Sequence, residues 1–282
     1  MSVPDRRLLI DGLGFPEAPR WHEGRLWLSD IAKQQVLAVT LDGDVEVICE
    51  VAGAPSGLGW LPDGRLLVVS MHDRAVLRLD PGGLAIHADL HHLVSADLND
   101  MVVDSNGRAY VSNFGYDATT EEPAPTGIVC IQPDGSSRML GSELLRPNGM
   151  ALSADGRTFV VAETRVHRLT AFDVVDGGAL DHPRPFGDLG SGSWADGVCI
   201  DAEGGMWVGD PRRSRCVRVM EGHGVTEAVA TDVPAIACAL GGADRRTLFV
   251  TEAPVRPMTE GARDPQGRVE YLHVPVAGAG WP

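Results

Sequence analysis

The chain has 282 residues, 44% of them hydrophobic, and its 34 glycines and 19 prolines favour a turn-rich fold with a substantial core over a helical bundle. Its 24 Lys and Arg against 39 Asp and Glu leave a formal net charge of −15, a field that repels phosphate backbones and anionic lipid and argues against nucleic acid or membrane as partners. No apolar run is long enough to span a bilayer and residues 1–7 lack the apolar stretch of a secretory signal, which predicts a soluble, cytoplasmic protein.

In chain order, a short β-like stretch at 6–10 comes first, and then a phrase that recurs. Segments 21–28, 61–68, 104–111, 153–160 and 201–208 each hold a turn glycine, usually followed by Arg, and then a strand. A sixth copy at 242–249 reads with Arg246 in the glycine slot. The slots at 24, 64, 107, 156, 204 and 246 are spaced by 40 to 49 residues, and the units continue into further hairpins, as at 36–47, 76–88, 128–139 and 217–229. Four short antiparallel strands per unit, six times over, predict an all-β, six-bladed β-propeller around a central channel. A sandwich or barrel would not repeat one turn phrase at near-constant spacing. The whole chain, 1–282, reads as one propeller domain, with 6–10 pairing near 268–274 to close the ring. The five cysteines, Cys49, Cys130, Cys199, Cys216 and Cys238, are scattered without a C-x-x-C and read as buried free thiols.

The repeat also sets the phase of the polar residues. Eight residues before a slot, where the innermost strand begins, stand Asn99, Asn148 and Asp196; Glu17 stands seven before the first slot, and Ser56 and Cys238 take the remaining two positions. Taken singly, Asn148-Gly149 and Asp196-Gly197 are ordinary turn dipeptides. Their common phase on converging blades instead predicts that Glu17, Asn99, Asn148 and Asp196 meet on the axis. Two carboxylates crowded in a narrow channel are costly unless a cation neutralises them. Oxygen donors without His or Cys select a hard divalent cation, Ca²⁺ first, Mg²⁺ or Mn²⁺ next, with Zn²⁺ also accommodated. A second ring, six residues after each slot, holds Asp30, Ser70, Asn113, Ala162 with Glu163, Asp210 and Glu252, which are expected to surround the first as acceptors for water and ligand amides.

These residues resemble a family, the senescence marker protein, gluconolactonase and luciferin-regenerating enzyme group of six-bladed propellers. The phrases are Phe15-Pro16-Glu17-Ala18-Pro19 with Trp21, Leu98-Asn99-Asp100-Met101, Pro147-Asn148-Gly149-Met150 and Ala195-Asp196-Gly197-Val198. The resemblance implies one catalytic divalent cation held by Glu17, Asn148 and Asp196, with Asn99 contributing or close by. It further implies hydrolysis of a lactone or related ester, or of a phosphotriester as in more distant propellers of the diisopropylfluorophosphatase type. Where sugar-lactone members carry an Arg two residues before the N-D Asn, this chain has Asp97.

The expected mechanism has the cation polarising the substrate carbonyl while a carboxylate assists attack by water. Asp196, which would sit on the metal and reach a bound water, is the expected base, and Asp100, adjacent to Asn99, the alternative. Met71, His72, Phe114, Tyr116 and Trp194 are expected to wall the substrate pocket, with 119–125 and 253–266 as candidate lids. No G-x-S-x-G, H-E-x-x-H or phosphate-binding glycine motif is present, and Lys33 is the only lysine. The partner is therefore expected to be a small-molecule substrate, and the chain a monomer or homodimer. The competing possibilities are a non-hydrolytic enzyme on the same site and a non-catalytic propeller scaffold with a structural ion.

Overall fold

A computed structural model describes residues 6–117 and 119–280, so that residues 1–5, read above for a leader, lie outside it. Six four-stranded antiparallel sheets form the six blades of a propeller. The inner strands are Pro16–His22, Pro55–Trp60, Leu98–Val103, Pro147–Leu152, Val198–Ile200 and Ala235–Gly241. Each returns through a tight turn into a second strand, namely Arg25–Asp30, Leu66–Ser70, Ala109–Asn113, Thr158–Glu163, Met206–Asp210 and Thr247–Glu252. In the last blade the outermost strand is Arg7–Leu13 from the N-terminal end. Arg7 pairs with Tyr271 and Leu8 with Glu270, the closure expected from the sequence.

Second strands such as Leu66–Ser70 are buried along their whole length because each sheet is covered on both faces by its neighbours. Between blades 2 and 3, Leu67, Val69 and Val76 pack against Met101, Val103 and Val111. Burying one such side chain stabilises the fold by about 1.5–3 kcal/mol, and the core is spread as wedges between blades. The ring joins where Trp21 of blade 1 stacks on Phe249 of blade 6, with ring centroids 5.5 Å apart.

The sixth turn corrects the sequence reading. The N–H of Gly156 donates to Ser153 O at 2.8 Å in blade 4, and in blade 6 the matching bond runs from Arg245 to Gly242 O at 3.1 Å. Arg245, at φ 58, takes the left-handed conformation that glycine holds elsewhere, so the slot is Arg245 and not Arg246. Eight residues earlier stands Ala237. Cys238, assigned to the axis from the shifted slot, faces blade 5 instead, its Sγ 3.7 Å from Cys199 Sγ.

Asn148-Gly149 and Asp196-Gly197 are not turns. Neither glycine has a positive φ. A Cβ on Gly149 would stand 2.7 Å from Asp196 O, and one on Gly197 would stand 2.2 Å from Ala237 Cβ. These glycines let neighbouring inner strands approach each other around the axis. The only α-helix among the described residues is Met258–Arg263, and no helix there is long and apolar enough to cross a membrane.

Candidate metal centre and substrate pocket

The inner strands of blades 1 to 4 each break register as they begin, between Glu17 and Arg20, Pro55 and Leu58, Leu98 and Met101, and Pro147 and Met150. A β-bulge re-aims the side chains around it. Here the displaced residues include Ser56, Asn99 and Asn148, and in blade 1 the break begins at Glu17. In blade 5, Asp196 sits just ahead of the short strand, tied by its N–H to Gly209 O at 3.1 Å.

The four residues selected by phase line one pocket. Asn99 Nδ2 donates to Asn148 Oδ1 at 2.8 Å, and Asn148 Nδ2 donates to Asp196 Oδ1 at 2.5 Å. Ser56 Oγ donates to Asn99 Oδ1 at 3.4 Å, so one chain of polar groups runs across blades 2 to 5. Thr164 Oγ1 lies 3.4 Å from Asn148 Nδ2 and donates to Ala195 O at 2.7 Å, bracing both Asn148 and the approach to Asp196. Glu17 is buried and accepts one hydrogen bond, from the N–H of Ala18 at 2.7 Å.

Burial raises the Glu17 pKa well above the usual carboxylate range, and the nearby charges of Asp196 and Asp100 add to the effect. Burial likewise pushes Asp196 up to about 7, against the opposing pull of the Asn148 hydrogen bond and of Arg146. Among the described residues no cation is bonded to either of these raised acids, whereas their neighbour Asp100 has one: Arg20 Nη2 lies 2.7 Å from Asp100 Oδ1 and donates to Met101 O at 2.8 Å. With the Arg20–Asp100 pair neutral, ionised Glu17 and Asp196 leave a formal charge of −2. Two carboxylates, two amide oxygens with lone pairs to spare and that uncompensated charge fit a hard divalent cation.

The pocket has a volume of about 490 Å³. Met71, His72, Phe114 and Trp194 line it together with the four axial residues. Tyr116 and Asp100 do not. Tyr116 is 2% exposed and turned inward, its hydroxyl accepting a hydrogen bond from Arg165 Nε at 2.8 Å. Asp100 is held by Arg20 and by the N–H of Met101, which donates to the same Oδ1 at 2.7 Å. Asp97 lies on the rim, where its Oδ2 is 2.9 Å from His72 Nδ1. Of the two candidate lids, 253–266 reaches the pocket through Val255 and Met258, and 119–125 does not line it.

Phe15, Ile31, Arg146, Thr164 and Arg165 also line the pocket and were not singled out from the sequence. Phe15 stood within the quoted Phe15-Pro16-Glu17 phrase. Arg146 stands ten residues before its slot, Ile31 seven after its own, and Thr164 and Arg165 eight and nine after theirs, outside the two positions that were counted from the slot.

The second ring is the other correction. Its members are fully buried, but their oxygens serve the backbone and neighbouring side chains. Asp30 accepts the N–H groups of Gly14 and Phe15, Asp210 that of Trp194, and Glu163 that of Leu145. Buried N–H groups in the segments leading into the inner strands need acceptors, and these carboxylates supply them. They position the pocket wall through these bonds, and Asp210 lies close enough to Asp196 to raise its pKa.

An axial cluster of acids and amides thus lies at the floor of an open pocket at one end of the channel of a six-bladed propeller. Residues 15–254 match the family model described as SMP-30/gluconolactonase/LRE-like region, and the chain belongs to that family. It is 27% identical over 227 residues to a lactonase drp35 of Staphylococcus epidermidis, covering 74% of this chain and 65% of that protein. A gluconolactonase structure from Xanthomonas campestris superposes with a TM-score of 0.77 at 25% identity, covering 96% of this chain and 89% of the other. A calcium-binding regucalcin from Agrobacterium tumefaciens superposes with a TM-score of 0.83 at 22% identity, covering 99% and 97%. The matched stretches span 57 to 65% of the length of the curated relatives.

Proposed function

We propose that this protein is a divalent-cation-dependent hydrolase of a lactone or related ester. The observation that carries the proposal is the meeting of Glu17, Asn99, Asn148 and Asp196 in one apolar-walled pocket, in a chain of a family that includes lactonases. Glu17, Asn148 and Asp196 would hold the cation, with Asn99 contributing, and Ca²⁺ is the first choice for such a donor set. The chemistry a divalent cation supplies there when bound is polarisation of the scissile carbonyl.

The chain's own groups do the rest. Asp196, which would stand at the cation and within reach of a water held there, is assigned as the base that takes the proton of the attacking water. The Asn148 amide fixes Asp196 Oδ1, and Thr164 fixes that amide in turn. Arg20 takes Asp100 out of the reaction, which leaves Asp196 as the base. Phe15, Met71, Phe114 and Trp194 exclude bulk water and receive the apolar part of the substrate.

A pH-stat screen of chemically varied lactones, esters and phosphotriesters, run with chelator and with divalent ions added back, tests the proposal. The expected result is metal-dependent proton release from at least one lactone class. Proton release only from phosphotriesters assigns the same site a different reaction, and none from any compound with any metal leaves a binding scaffold with a structural ion.

A further inference from the structure

The hydrolase reading leaves the substrate unnamed, and one side chain of the pocket wall narrows it. Arg146, two residues before Asn148, lines the pocket. Its guanidinium lies over the Phe114 ring at 4.2 Å from the centroid, with the Tyr116 ring at 5.9 Å. Among the described residues it makes no ion pair and no side-chain hydrogen bond, although it lies close enough to Asp196 to lower that acid's pKa. Arginines on neighbouring strands are paired: Arg20 with Asp100, Arg168 with Glu163, Arg215 with Asp210. Arg146 thus presents a charged donor fork, stiffened by an aromatic shelf, with no acceptor supplied by the protein.

The backbone does not call for this residue. Arg146 is at φ 56, a left-handed conformation immediately before Pro147. The corresponding turn of blade 2 has Ala54 at φ 67 before Pro55. Alanine satisfies the same turn, so the side chain at 146 is free to serve the pocket. On the rim, Asp97 and His72 are bonded to each other. Arg165, whose Nε is engaged by Tyr116, extends the positive side of the wall.

Resting on the hydrolase reading, we infer that the substrate carries a carboxylate on an apolar body, and that Arg146 binds this carboxylate as a specificity-determining residue. A planar guanidinium pairs with a carboxylate through two parallel hydrogen bonds. A planar monoanion suits the guanidinium fork of Arg146 in a pocket whose floor and rim are acidic and disfavour a dianion. The apolar walls take the remainder of the molecule, and the ester carbonyl reaches the axial site.

The test compares 3-phenylpropanoate with its neutral amide in calorimetric titrations of the calcium-loaded protein, in wild type, Arg146→Gln and Arg146→Lys, with thermal melts confirming that each variant folds. The wild type is expected to bind the carboxylate at least about 10-fold more tightly than the amide, the scale of one charge-assisted contact. Arg146→Gln brings that ratio close to one and Arg146→Lys restores part of it. Equal affinities in the wild type, or a preference that survives Arg146→Gln because the carboxylate binds calcium instead, overturn the inference. A lactone carrying a carboxylate and its methyl ester are assayed in parallel, where Arg146→Gln is expected to cut kcat/KM for the acid by about 10- to 100-fold, mainly through KM. Arginine-dependent carboxylate binding without hydrolysis of any lactone supports the role of Arg146 and removes the hydrolase reading, so the two failures are distinguishable.

Discussion

Glu17 accepts one hydrogen bond from Ala18 and lies close enough to Asp196 and Asp100 for each to raise its pKa. In the metal-free native chain, Glu17 and Asp196 bind protons that the unfolded chain releases near its ordinary carboxylate pKa. Stability therefore falls as pH rises from that value through about 7, where Asp196 ionises in the folded state. Melts in chelator are expected to show a lower Tm at about pH 8 than at about pH 5, and calcium at about pH 8 to reverse the loss. Glu17→Gln is expected to make the metal-free pH dependence shallower, with the raised acids Asp196 and Glu252 still titrating, and to weaken the calcium response. An unchanged slope in that variant contradicts the charge assignment. Asp196→Asn tests the other acid: kcat on the best lactone is expected to fall by about 10²–10⁴-fold, and full hydrolysis with metal still bound would remove Asp196 as the base.

At the scale of the strand, the site depends on bulges that turn side chains inward and on glycines that let inner strands close around the axis. Gly197→Ala places a Cβ against Ala237 and is expected to cost about 1–3 kcal/mol in urea unfolding, whereas Gly24→Ala, where a Cβ meets nothing, tests only the left-handed turn. Asp30→Ala leaves the buried N–H groups of Gly14 and Phe15 without acceptors, so a loss of about 1–3 kcal/mol is expected, with a raised KM as Phe15 shifts. These elements also show what could be seen beforehand. The turn phrase exposed the blades, and counting back from it found Asn99, Asn148 and Asp196, because one backbone geometry repeats. The count slipped in blade 6, where Arg245 adopts a glycine conformation without being glycine. Arg146, Thr164 and Arg165 lie outside the two positions counted from the turn, and Tyr116, chosen for the wall, is drawn inward by packing and its bond to Arg165. The second ring was found by position but misjudged in role, since a buried carboxylate answers first to the nearest unpaired N–H.

For the whole molecule, closure of the ring is the condition for the axial residues to meet. Strand Arg7–Leu13 completes blade 6, and Arg6 binds Glu252 and Glu270 at 3.2 and 2.8 Å across the seam. Deleting residues 1–13 is expected to leave Gly267–His273 as an open edge, to lower Tm, to weaken calcium binding and to promote self-association, read by light scattering. Unchanged calcium affinity in that variant would show that the site forms without the seam. The most direct measurement for the molecule as a whole is diffraction at long wavelength from crystals grown with calcium. The account predicts one anomalous peak within about 2.3–2.6 Å of oxygens from Glu17, Asn148 and Asp196, with Asn99 beside it. A map with no peak at that point, and the two carboxylates turned to other partners, would contradict it.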